Sequence, residues 1–126
     1  MNKLSEFGIN VKFSKETRNV KVYAVCCCVD SIARSPMQGI HQWNGKHGYN
    51  FCMDEGVHTN TRKYPYNKDF VLRDTSTTIE YMWKNFEKGK PVNGVIRVSP
   101  LINLKGIDLI SGFVPDHLHF YALGCV

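Results

Sequence analysis

Val20-Lys21-Val22-Tyr23-Ala24-Val25-Cys26-Cys27-Cys28-Val29-Asp30 is the stretch on which the fold turns. A nearly continuous apolar run rich in Val, Cys and Tyr reads as a strand buried on both faces, so Val20 to Val29 is expected to form a central strand. Asp30 then stands at its mouth, where rigid backbone presents a carboxylate at an edge that ligands can reach. Carboxylates so placed are a usual means of holding divalent metal for phosphoryl transfer. The same side chain can instead cap a following helix through N–H groups near Ala33, and residue type alone favours the cap. A second acid lies far along the chain beside two imidazoles, in Pro115-Asp116-His117-Leu118-His119.

Working outward, Ser31 sits where an N-cap would. Ile32, Ala33, Met37 and Ile40 supply a helix stripe that Pro36 limits or kinks. Upstream, Ile9 to Phe13 reads as a strand and the polar tip Ser14 to Asn19 as a turn. Downstream, Gly39, Gly45 and Gly48 break the chain into loop, and Met53 to Leu72 suggests irregular structure with a brief strand. Ile79, Met82, Trp83 and Phe86 recur at helical spacing between a cap at Asp74 or Thr75 and a stop at Gly89-Lys90-Pro91. That stripe is expected to be core. Pro91 to Phe113 holds short apolar pieces, and Val114 to Cys125 reads as the start of a helix entered through Pro115 and Asp116. It runs out at Leu123-Gly124-Cys125-Val126, as a truncated element would.

Length and charge set wider bounds. With 126 residues, 43% of them hydrophobic, the chain is expected to be a single domain or a piece of a larger one, of mixed α/β (α+β) class. Sixteen Lys and Arg against eleven Asp and Glu leave +5, which favours a polyanionic partner, although a solvated basic face gives the same count. Five cysteines without the even spacing of a disulfide framework point to an intracellular, reducing compartment. No stretch approaches the ~20 apolar residues of a membrane span, and no signal peptide is legible.

Each candidate site carries a bland alternative. Asp116 and His119 stand at i, i+3 on an expected helix, able to share a metal, or else to serve as N-cap and satisfied core histidine. His41, Trp43, Lys46 and His47 form a basic, aromatic patch that could stack on or steer nucleic acid, with Arg34 nearby, though an ordinary polar loop looks the same. Cys26, Cys27 and Cys28 read as core hydrophobes. In the Gly-flanked loop around Tyr49 and Cys52 one thiolate is too few for structural zinc, which needs four ligands.

Five segments, in order, resemble the catalytic core of CACTA-type transposases and their transposon-derived relatives in animal genomes. They are Val25 to Gln38, Gln42 to Cys52, Gly89 to Val95, Ser99 to Leu104 and, above all, Gly112-Phe113-Val114-Pro115-Asp116-His117-Leu118-His119-Phe120-Tyr121-Ala122-Leu123-Gly124. The resemblance implies part of an RNase H-like fold with a three-carboxylate Mg²⁺ or Mn²⁺ site, interrupted after its central acidic strand by an insertion with a C-x-x-C pair. On this reading Asp30 matches the second acidic position as catalytic metal ligand, and Asp116 with His119 matches an Asp-x-x-His element. DNA is the implied partner and the nucleus the implied location, with an oligomer allowed for the full-length parent.

The departures count as much. Tyr49 replaces the first Cys of the pair, and Asp54 stands where animal members tend to have His, so no zinc is expected. The family's first acid has no counterpart before Asp30, and its final Glu would lie beyond Val126. The expectation is therefore a transposase fragment, catalytically incomplete by itself. The alternatives are a domesticated nucleic-acid- or protein-binding module, and an unrelated cysteine enzyme needing a thiol within hydrogen-bond reach of His41, His47 or His119.

Overall fold

The computed structural model describes residues 2–116. Helix α1 (Asn2–Glu6) leads into a hairpin of β1 (Ile9–Phe13) and β2 (Glu16–Val20), paired antiparallel with Phe13 opposite Glu16. The expected turn is thus shorter, because Glu16 to Asn19 pair with β1 across Ser14 and Lys15. Ser14 takes a positive φ of 50° there.

The expected ten-residue central strand is not formed. Val20 closes β2, residues 21–26 follow without regular structure, and β3 is confined to Cys27–Val29. Its one strand neighbour is β6 (Phe113–Pro115), paired in parallel. A strand is buried on both faces only where neighbours and covering layers exist. Here Val25, Cys26 and Cys28 are exposed and Cys27 half-buried, which corrects their reading as core.

Helix α2 (Ser31–Gln38) starts directly after β3. Its buried face is polar, with Arg34, Ser35 and Gln38 inside and Ile32 in solvent, so the apolar stripe was phased wrongly. Ser35 and Gln38 bind Asn50 Nδ2 at 3.2 and 2.7 Å, and Gln38 Nε2 donates to the Leu109 carbonyl at 2.9 Å. Buried polar groups survive where partners replace water, and Ser35, Gln38 and Asn50 have them, whereas Arg34 Nε has none. Gly39 ends the helix at φ +75°, and a Cβ there would lie 2.3 Å from the Arg97 carbonyl oxygen, so both conformation and space require glycine. Beyond it the chain is stitched to a distant loop by Ile96 N–H to Gly39 O and His41 N–H to Gly94 O.

Two short strands, β4 (Val57–His58) and β5 (Arg62–Lys63), form a small hairpin in the loop-rich middle. Helix α3 (Thr75–Lys88) follows, capped by Asp74 and ended by Gly89 in the left-handed region, as its sequence signals require. Met82 is fully buried and Ile79 packs against the core, whereas Trp83 and Phe86 stand 55% and 73% exposed in an edge-to-face pair. Only half of the expected stripe is core. The core itself joins Ile40, Met82, Val95, Leu109 and Ile110, mostly from loops that α2 and α3 hold together. The chain is a mixed α/β assembly of three two-stranded sheets and three helices among the described residues.

Candidate functional site

The pairing of β3 with β6 sets the site. Cys27 faces Phe113, Cys28 faces Val114 and Val29 faces Pro115, with the Cys27 N–H bound to the Gly112 carbonyl at 2.8 Å. Asp30 and Asp116 are the residues that follow the last paired positions, Val29 and Pro115, so each of the two parallel strands leads into an acid. The pairing makes neighbours of the segments that precede the two acids, and the second of these is strand where a helix was expected. Val114 and Pro115 are strand, and His117 to Cys125, including His119, lie outside the described residues.

Asp30 also caps α2. Its backbone is extended (φ −66°, ψ 169°) and Oδ1 accepts from the Ala33 N–H at 2.7 Å. The cap and ligand roles are compatible, since a carboxylate has two oxygens and one bond here fixes its orientation.

Arg34 is only 6% exposed. Its Nη2 donates to the Val29 carbonyl at 3.4 Å, and its guanidinium lies 5.3 Å from the Phe51 ring centroid. Burial lowers its pKa, with Tyr49, Asp30 and Cys28 opposing. Arg34 thus packs against the end of β3, largely shielded from solvent, with its Nε buried and unpaired.

His41, Lys46 and His47 do converge, around a cavity of about 250 Å³ closed by Pro91, Asn93 and Gly94. The His47 ring faces the Met53 carbonyl through Nδ1 at 3.0 Å; a carbonyl only accepts, so Nδ1 carries the proton. Lys46 pairs with Glu55 at 2.8 Å in solvent, which lowers the Glu55 pKa through the hydrogen bond and charge of Lys46. Trp43 is exposed but does not line this cavity.

Sequence reasoning missed a second concavity, of about 400 Å³, walled by Tyr49, Phe51, Tyr64, Tyr66 and Phe70, with Asp54 and buried Cys52 in its lining. The tyrosines near Pro65 were the available signal, but their segment lacks the periodicity that would have assigned them to one face. Behind it Arg73 is buried, donating from Nε to the Tyr49 carbonyl (3.2 Å) and from Nη2 to that of His47 (2.7 Å).

Among the described residues, no three His, Cys, Asp or Glu side chains converge as a metal would need, and neither His41 nor His47 hydrogen-bonds a thiol. No helix of the described residues is long and apolar enough to cross a membrane. Compared with protein families, curated proteins and solved structures, the chain matches none.

Proposed function

We propose that the chain carries the two-acid strand end of an RNase H-like phosphoryl-transfer core of the CACTA-type transposase kind, and that by itself it binds polynucleotide without cutting it. The observation that supports this reading is the parallel β3–β6 register, with Val29 opposite Pro115, after which each strand leads into an acid, Asp30 and Asp116. Mg²⁺ is commonly held by one or two carboxylates, with water and substrate phosphate completing the shell, so the pair suits a single hydrated cation. In-line displacement by two metals needs more donors than these, and the described residues supply no third one nearby. Among the described residues the donors thus fall short of a two-metal centre, and association is the activity proposed. The excess of positive charge supplies a nonspecific attraction for phosphates that weakens as salt rises.

Two measurements test the reading. In Mn²⁺ titrations followed by NMR, paramagnetic broadening is expected first at Ser31 and Asp116, and is expected to vanish in Asp30→Asn, which keeps a capping side chain and so the fold. Broadening centred elsewhere would refute the acid pair. With supercoiled plasmid and Mg²⁺ or Mn²⁺, salt-sensitive binding without nicking is expected; nicking that Asp30→Asn abolishes would show a complete centre and overturn the association-only reading.

A further inference from the structure

We propose that the aromatic cavity between residues 49 and 72 binds a methylated ammonium cation, of the kind carried by a trimethyllysine side chain or a choline head group. Tyr49, Phe51, Tyr64, Tyr66 and Phe70 line it, and Asp54 brings a carboxylate to the same wall. Aromatic faces carry negative charge density, and a quaternary ammonium, weakly hydrated and unable to donate a hydrogen bond, gains most from several faces at once. A nearby carboxylate adds charge complementarity, whereas it repels the phosphate that a nucleotide would bring.

The walls are built rather than incidental. The Tyr64 hydroxyl accepts from the Gly48 N–H at 2.7 Å and donates to the Gly45 carbonyl, so its ring is held at both the loop and the phenol. Burial pushes the Tyr64 phenol up, which keeps it neutral and donating. Tyr49 lies 6.0 Å from Tyr64 and 6.1 Å from Phe51 between ring centroids, at 39° and 69°, so three rings turn different faces to one space. Asp54 is oriented by the Gly56 N–H on Oδ1 at 2.7 Å. Tyr66 lines the same cavity and is 84% exposed.

The probes are a trimethyllysine peptide, the same peptide with unmodified lysine, the same peptide with an uncharged tert-butyl isostere, phosphocholine, and a nucleoside monophosphate. Binding is read by chemical-shift changes at Tyr64 and Phe70. A methylated cation is expected to bind at least tenfold more tightly than either the unmodified lysine or the neutral isostere. Comparison of the peptide with phosphocholine separates the two sources of the cation. Tyr66→Ala and Asp54→Asn are both expected to weaken it about tenfold with the spectrum otherwise unchanged, and the Asn variant retains an acceptor for Gly56. Equal binding of the neutral isostere, preference for the nucleotide, or no shift with any cation would overturn the proposal.

Discussion

Replacing Gln38 by alanine is expected to be among the most damaging single changes in this protein, although glutamine on a short helix is ordinarily a surface residue. The side chain is fully buried and joins three segments: α2 itself, the loop at Asn50 and the loop at Leu109. Truncation orphans the Leu109 carbonyl completely, at about 1–3 kcal/mol for a buried group left unpaired. The Asn50 amide keeps its longer bond to Ser35, so its loss falls near 1 kcal/mol, the lower end of the same range. The missing Cγ methylene adds ~0.8 kcal/mol of lost burial. The sum is about 4 kcal/mol, a large part of the 5–15 kcal/mol by which small domains are usually stable. In urea, with a slope of about 2 kcal/mol per molar, the midpoint should fall by roughly 2 M. The Gln38 and Asn50 substitutions should also be non-additive by about 1 kcal/mol or more in a double-mutant cycle. A loss within the ~0.5 kcal/mol typical of surface changes, or strict additivity, would show that α2 is not held by this network.

Three further outcomes follow from the same geometry. The Thr77 hydroxyl and N–H hold the Asp74 carboxyl below its ordinary pKa; burial pushes Asp108 up, but N–H groups of Ile110 and Ser111 and hydroxyls of Thr75 and Ser111 outweigh it. Both folded pKa values are depressed, so their stabilisation is complete above the unfolded value of about 3.9 and is lost as pH falls through the folded ones; urea midpoints should drop below about pH 4, less steeply in Asp74→Asn/Asp108→Asn, and an unchanged acid limb would contradict this. Cys26 and Cys28 should be alkylated in the native protein while Cys52 waits for unfolding, as mass mapping of labelled peptides would show; equal protection would restore the buried-strand reading. Gly39→Ala should destabilise by more than the ~1 kcal/mol expected from strain alone, because the Arg97 carbonyl blocks the methyl, and a neutral thermal shift would refute that packing.

Local signals in the sequence were read well where local chemistry decides the outcome. Helix α3 has its cap at Asp74 and its stop at Gly89, and Asp30 follows a strand and opens a helix, as residue order alone suggests. Strand extent was not legible, because the apolar run at Val20 to Val29 forms ladder only where a neighbour exists, and β6 reaches just Cys27, Cys28 and Val29. The same distance in sequence hid the site's main relation: nothing near Asp116 tells that its strand lies in register with β3. Burial of Gln38 and Arg34 was hidden for another reason, since hydrophobic periodicity cannot find a polar face whose partners come from remote loops. The aromatic cavity was missed because its rings sit on irregular backbone with no period to read.

The proposal rests on the register of β3 with β6, each strand leading into an acid, and interstrand NOEs read that register. In uniformly labelled protein, the parallel pairing predicts backbone contacts linking Cys28 with Val114 and Asp30 with Asp116, together with slow exchange of the Cys27 amide bound to Gly112. A slip of one residue, pairing Asp30 with Pro115, or the absence of any contact between the two segments, would contradict the account.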